Sequence, residues 1–68
     1  MTGTVSADKL WMQGETATDR KQWSVAEAAY LGALKLDPRH VPSLIGLSTL
    51  YSREGKHVLA HEVLMRGA

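Results

Sequence analysis

Histidine and carboxylate side chains are the groups of this 68-residue chain whose spacing could support metal binding or acid–base chemistry. His57 and His61 lie four residues apart, a spacing that places two imidazoles on one face of a helix and suits Zn²⁺. Val58 occupies the position at which a zinc-protease motif has its catalytic Glu, and the chain has no Cys to add as a ligand. We therefore expect no metal site, with His57 and His61 in solvent and His40 in a loop before Pro42.

The sequence contains no pattern of nucleophile, base and phosphate-binding residues of the kind that catalytic sites need. It has neither a Gly-rich phosphate loop nor a G-x-S-x-G nucleophile turn. Its carboxylates are scattered along polar positions, and nothing in the spacing brings a Ser and a His together. The sequence therefore predicts that the protein is not an enzyme and binds no cofactor.

Composition and charge argue against several classes of protein. Apolar residues make up 44% of the chain, which is close to an ordinary globular value. A net charge of +1 gives no electrostatic basis for binding nucleic acid or an anionic membrane, and the absence of Cys excludes a disulfide scaffold. No apolar run is long enough to span a bilayer, and the first residues do not resemble a signal peptide. We expect a soluble, cytoplasmic chain that forms one small domain or part of a larger one.

The first two helices are predicted from apolar spacing and from their end signals. The first covers about residues 6–19 and contains Gly14, which weakens a helix by about 1 kcal/mol relative to Ala. We expect that Gly14 allows another helix to approach closely. The second helix begins at Ser24, which is predicted to form a capping box with Glu27, and it ends before Pro38.

The last two helices follow in the same way. The third begins near Pro42, a residue favoured in the first turn, and ends at Gly55, which suits a left-handed C-terminal cap. The fourth covers about residues 56–66. Apolar spacing places Tyr30 and Tyr51 in the core. Because the connections are short, neighbouring helices are predicted to be antiparallel.

Residues of similar size class recur at a spacing of 34 along the chain, and we call this spacing the repeat offset. The pairs are Leu10 with Leu44, Gly14 with Ser48, Ala26 with Ala60, Tyr30 with Leu64, and Ala33 with Gly67. Each unit of this length contains one pair of predicted helices. The sequence therefore predicts two copies of a helical hairpin.

This order of large and small residues resembles the tetratricopeptide repeat. The first unit carries the pattern at Leu10, Gly14, Ala26, Tyr30, Ala33 and Pro38. The second carries it at Leu44, Leu47, Ser48, Tyr51, Ala60, Leu64 and Gly67. Gln13 and Ala17 depart from the family pattern, which has an apolar and an aromatic residue at these positions. The first helix is therefore expected to pack loosely.

The resemblance implies an all-α fold in which two antiparallel helix-turn-helix repeats form a short right-handed solenoid. A flexible segment of residues 1–6 would precede a first repeat of residues 7–40 and a second, C-terminally truncated repeat of residues 41–68. Arrays of this kind usually need at least three repeats for stability. We therefore expect a fragment of a longer array or a unit that associates.

In this family, the first helix of each repeat lines a concave groove that binds a peptide or a partner protein. Trp11 is the best candidate for an anchor, because a large amphipathic ring suits a binding surface. The alternative is that Trp11 covers the first helix or packs against a preceding repeat. Helical spacing independently places most of the groove positions of each helix on one face. Carried onto this sequence, the groove residues are Asp8, Trp11, Glu15, Thr18, Asp19, Ile45, Thr49, Ser52 and Arg53.

The first unit also carries three acidic residues among its groove positions and a tryptophan at the start of its second helix. Asp8, Glu15 and Asp19 give the predicted groove an acidic wall, which favours a basic or apolar peptide. Trp23, at the start of the second helix, is expected to wedge the two helices of the first unit together.

Two other functions remain open for the last helix. Its apolar side would be left uncovered, and a homo-oligomer could form there through Leu59, Val63 and Met65. The helix and its approach also have a basic, amphipathic character, and such a helix can bind calmodulin or a membrane surface. The basic and titratable residues concerned are Arg53, Lys56, His57, His61 and Arg66.

Overall fold

The computed structural model describes residues 6–66, and these residues form four helices and no strand. This confirms the predicted all-helical class and the number of helices. Residues 1–5 of the predicted flexible N-terminus lie outside the described residues, as does Gly67 of the size pairing. The helices are α1 (Ala7–Asp19), α2 (Trp23–Leu36), α3 (Val41–Arg53) and α4 (His57–Arg66).

The helices pack mainly in chain order. Helix α2 contacts both α1 and α3, and α1 also touches α3 directly. Within residues 6–66, α4 contacts α3 but neither α1 nor α2. Three helices therefore share one core region, and α4 is attached to it through a single neighbour. None of the described helices is long and apolar enough to cross a membrane.

The N-terminal ends of α1 and α2 differ in how they are capped. The Ser6 hydroxyl accepts a hydrogen bond of 3.2 Å from the backbone N–H of Lys9, which satisfies one free donor of α1. The predicted capping box of α2 is wrong, because Gln22 is the N-cap and makes no side-chain cap. Ser24 lies inside the first turn of α2, and the Glu27 carboxylate accepts a hydrogen bond of 2.8 Å from the Tyr51 hydroxyl of α3. Glu27 therefore makes a tertiary contact with Tyr51 and does not close a capping box with Ser24.

The C-terminal ends of α1 and α3 have the same geometry and are separated by the repeat offset. Lys21 and Gly55 both have positive φ, 59° and 79° respectively, as the predicted left-handed cap at Gly55 requires. Two backbone hydrogen bonds close each end: from Lys21 and Gln22 to the carbonyls of Thr18 and Ala17, and from Gly55 and Lys56 to those of Ser52 and Tyr51. This pair of bonds is the Schellman arrangement. The first residues of α1 and α3, Ala7 and Val41, are separated by the same offset.

The core lies where α2 meets α1 and α3, with a smaller contribution from α4. The predicted core positions Tyr30 and Tyr51 are confirmed, since both are buried. Trp11, Trp23 and Leu34 cover this core from its edges. The buried cluster consists of Ala17, Ala26, Tyr30, Leu44, Leu47, Leu50, Tyr51, Ala60 and Val63.

Val63 is therefore not available for the self-association that the sequence suggested. It is only 5% exposed, because α4 turns Ala60 and Val63 toward α3. Leu59 and Met65, the other two residues of that prediction, are exposed.

The Tyr30 ring lies between two glycines on different helices. A Cβ atom at Gly14 of α1 would lie 2.6 Å from Tyr30 Cε1, and one at Gly46 of α3 would lie 2.7 Å from the same atom. Both separations are shorter than van der Waals contact. The expectation that Gly14 permits a close approach is confirmed, and the approaching group is the Tyr30 side chain. The matching role of Gly46 was not predicted from the sequence.

We predict that Gly14→Ala and Gly46→Ala each destabilise the fold, although Ala is the better helix former by about 1 kcal/mol. The added methyl group must displace a ring that is packed on both sides, and overpacking of this kind costs about 1–3 kcal/mol. Gly32→Ala is the matched control, because its Cβ would meet the end of the Leu10 side chain at 3.3 Å. That control should be neutral or stabilising in urea unfolding followed by circular dichroism. Wild-type stability in both Gly14→Ala and Gly46→Ala would contradict the packing argument.

Candidate peptide-binding groove

A cavity of about 470 Å³ opens between α1 and α3, with α2 beneath it. Its α1 wall consists of Trp11, Glu15 and Thr18. Tyr30 of α2 lies at the base, between the two glycine positions. The α3 wall consists of Val41, Pro42, Ile45, Gly46, Thr49, Leu50 and Arg53.

The structure brings six of the nine predicted groove residues to this cavity. They are Trp11, Glu15, Thr18, Ile45, Thr49 and Arg53. Asp8, Asp19 and Ser52 do not line it. The acidic wall that the sequence suggested is therefore reduced to the carboxylate of Glu15, and the α3 wall carries the opposite charge of Arg53.

Other lining residues were missed by the sequence analysis. Val41 precedes Ile45 by one helical turn, so its place on the same face of α3 could have been inferred from spacing. Tyr30 was assigned to the core, which is correct, but it also reaches the cavity. Gly46 had no signal of its own, because its position matters only through the ring packed against it.

Trp11 packs against the core, where it is partly buried, and also faces the cavity. Its ring meets the His40 imidazole edge to face, with centroids 6.5 Å apart and planes at 60°. The core and His40 therefore restrain the indole.

A short chain of hydrogen bonds fixes the base of the cavity. The Tyr30 hydroxyl donates to Glu15 Oε2 over 2.5 Å and lies 3.3 Å from the Thr18 hydroxyl. Thr18 in turn donates to the Gly14 carbonyl over 2.8 Å. Burial, with the Glu15 hydrogen bond as a second cause, raises the pKa of Tyr30 from 10.0 to about 12. The phenol is thus held in its neutral form as a donor.

Arg53 borders the cavity at the end of α3. Its guanidinium lies over the Trp23 ring, 5.7 Å from the centroid, and joins the end of α3 to the start of α2. Trp23 was expected to wedge the first two helices together. Trp23 is partly buried against the core. Its contact with Arg53 lies where the start of α2 meets the end of α3.

His40 is held more tightly than its predicted loop position suggested. It precedes α3 as the N-cap residue, as expected, but its side chain is buried. The Nε2 atom lies 2.6 Å from Asp8 Oδ1, and Nδ1 lies 2.7 Å from Ser43 Oγ. An ionised carboxylate can only accept, so Nε2 donates to Asp8. Asp8 therefore anchors α1 to the start of α3 instead of lining the cavity.

The spacing along the sequence did not bring a Ser and a His together, but the fold does, since Ser43, His40 and Asp8 form a continuous hydrogen-bonded chain. The chain has the three residue types of a serine hydrolase triad, but with the ring nitrogens exchanged, since Ser43 meets Nδ1 and Asp8 meets Nε2. However, Ser43 is 0% exposed, so its hydroxyl cannot meet a substrate in this fold. The chain of bonds acts as a link between helices.

Metal binding has no support among the residues that the structure describes, where no three His, Cys, Asp or Glu side chains converge. His57 and His61 are both exposed on α4.

Comparison with protein-family models, curated proteins and solved structures finds no match to this chain.

The pKa of Tyr30 leads to a prediction about alkaline stability. The pKa is about 12 in the folded protein against 10.0 for an unperturbed tyrosine, so the neutral phenol stabilises the fold. This stability is fully present below pH 10 and is lost as the pH rises toward about 12. A difference of this size corresponds to on the order of 2–3 kcal/mol. Tyr30→Phe should remove this part of the pH dependence in urea unfolding.

The titration itself can be measured in Tyr51→Phe, which leaves Tyr30 as the single tyrosine. Phenolate absorbance of the folded variant should rise near pH 12, and that of the same variant in concentrated urea near pH 10. Identical midpoints in the two solvents would show that Tyr30 is not held in its neutral form.

Proposed function

We propose that this chain is a protein–protein interaction module that binds a peptide in the cavity between α1 and α3. The observation that carries the proposal is a cavity of about 470 Å³ with exposed apolar side chains on one wall and a restrained indole on the other. Val41 and Ile45 are both more than half exposed, and Trp11 stands opposite them on α1. Concave sites with apolar walls and a few polar groups are the usual form of a binding pocket.

We further propose that the two helical hairpins are repeats similar to tetratricopeptide repeats, stacked as a short right-handed solenoid. The support is that the repeat offset separates both the helix starts Ala7 and Val41 and the left-handed residues Lys21 and Gly55. Two segments that begin and end alike at a fixed offset are typical of a repeat architecture. In such an arrangement α1 and α3 lie side by side, which agrees with their direct contact.

The preferred ligand in this proposal is a segment with an apolar anchor residue. Trp11, Val41 and Ile45 offer an apolar slot for its side chain. The Thr49 hydroxyl borders the slot and is suited to bind the ligand backbone. Because Glu15 and Arg53 carry opposite charges on opposite walls, the cavity does not select strongly for a basic peptide.

Catalysis is not part of the proposal. Glu15, the carboxylate at the cavity, already accepts a hydrogen bond from the Tyr30 hydroxyl. The raised pKa of Tyr30 makes its phenol a weak acid, poorly suited to proton transfer near neutral pH. These groups orient one another and the cavity wall.

Peptide selection tests the proposed site. A phage-displayed library of random peptides is selected on the immobilised chain, and the enriched peptides are titrated against Trp23→Phe, which leaves Trp11 as the single tryptophan. Binding should change the Trp11 fluorescence. In isothermal titration calorimetry, Trp11→Ala and Ile45→Ala should weaken binding at least tenfold, the loss of about 1.4 kcal/mol or more expected of an anchor.

Val25→Ala is the matched control, because Val25 is as exposed as Ile45 but lies on α2 away from the cavity. Its affinity should equal that of the wild type. Peptides that bind Trp11→Ala and Ile45→Ala as well as the wild type would place the site elsewhere, and a selection that enriches no peptide would count against the module itself.

A further inference from the structure

The contact between α2 and α3 is formed by residues whose counterparts one repeat offset away lie on α4 and α1. Two of its elements are the Tyr30 ring against Gly46 and the Trp23 ring beneath Arg53. In both, an α2 side chain meets an α3 residue. Because helix starts and caps recur at the repeat offset, each of these residues has an equivalent in the other hairpin.

The equivalents of the α2 residues lie on α4 and are exposed. Leu64 stands one repeat offset after Tyr30, and His57 stands one repeat offset after Trp23. Tyr30 is 1% exposed, whereas Leu64 is 51% exposed. The difference arises because α3 covers this face of α2, while no described helix covers the same face of α4.

The equivalents of the α3 residues lie on α1 and are exposed as well. Met12 stands one repeat offset before Gly46, and Asp19 stands one repeat offset before Arg53. Met12 is 58% exposed and does not line the cavity, although its neighbour Trp11 does. Helix α1 thus carries the equivalents of the α3 side of the contact, and α4 carries those of the α2 side. No described helix covers either set of residues.

We propose that α1 of one copy packs on α4 of another in the register in which α3 packs on α2. In this register Met12 of one copy meets Leu64 of the next, and Asp19 meets His57. A large ring against Gly is replaced by two side chains of intermediate size, so α1 and α4 keep the register of α3 and α2 but pack at a larger distance that leaves room for both. The pairing of Arg53 with an aromatic ring is replaced by an imidazole that donates to a carboxylate.

The complementarity of the two faces is what assigns the occupant as a second copy. The third α2–α3 contact, between Glu27 and Tyr51, has no equivalent, because Ala17 stands in the place of Tyr51 and is buried. The proposal therefore rests on the two pairs named above. A contact between two different surfaces of one chain leaves an open surface at each end, so copies can add in a row.

This interface differs from the one first suggested for α4. Leu59 and Met65 stand one repeat offset after Val25 and Leu31 of α2. Val25 and Leu31 are exposed even though α3 packs against α2. Residues at these positions face outward even where a following helix is present. The groove residues Trp11 and Ile45 are not used, so assembly and peptide binding are separate properties.

End-blocking variants test the proposal. Met12→Glu blocks only the α1 surface, and Leu64→Glu blocks only the α4 surface. In light scattering, the wild-type mass should rise with concentration above the 7.5 kDa of one chain. Each variant alone should remain at 7.5 kDa, and an equimolar mixture should give a species of twice that mass and nothing larger. The mixture restores one intact contact and leaves both outer ends blocked.

Leu59→Glu is the control, because Leu59 is exposed on α4 outside the proposed register, and it should assemble as the wild type does.

A charge exchange checks the second pair independently of the apolar one. Asp19→Lys and His57→Glu should each weaken assembly, and the double variant should restore it. Wild-type chain that stays at 7.5 kDa over a hundredfold concentration range overturns the proposal, and so does assembly that Met12→Glu leaves intact.

Discussion

The packing of the Tyr30 ring between Gly14 and Gly46 is the constraint on which the rest of this small fold depends. With the nearest ring atom 2.6 and 2.7 Å from the two Cβ positions, neither helix has room for a side chain there. The ring therefore sets the distance of α2 from both α1 and α3. Two glycines weaken their helices by about 1 kcal/mol each. Burial of a whole tyrosine side chain offsets this cost, because it removes a large apolar surface from water.

Polar side chains then tie the three helices together at their edges. Glu15 binds Tyr30, Glu27 binds Tyr51, and Asp8 binds His40, so each pair among α1, α2 and the α3 segment is joined by a hydrogen bond to a carboxylate. In each pair one partner is a carboxylate at or near the surface, which avoids the cost of burying an unpaired charge. No buried side-chain nitrogen or oxygen within the described part of the chain lacks a hydrogen-bond partner. Helix α4 takes no part in these three links, which agrees with its attachment through α3 alone.

The same residues that hold the helices also form the base of the groove. Tyr30 and Gly46 belong to both the core contact and the cavity. A change at either position therefore alters stability and cavity shape together. Ile45 on the α3 wall is freer to vary, because it is exposed, whereas Trp11 on the α1 wall also packs against the core.

Local physical chemistry determined the helices and many of their ends. Apolar spacing, Pro42 and Gly55 were enough to predict four helices and a left-handed cap, because these signals act within one or two turns. The repeat offset was also visible, since it depends only on the order of residue sizes. Only the tertiary structure decided that Glu27 binds Tyr51 rather than capping α2, that His40 is buried against Asp8, and that Val63 faces the core. Each of these depends on which side chain another helix brings within reach, and such contacts between distant residues leave no periodic signal in the sequence.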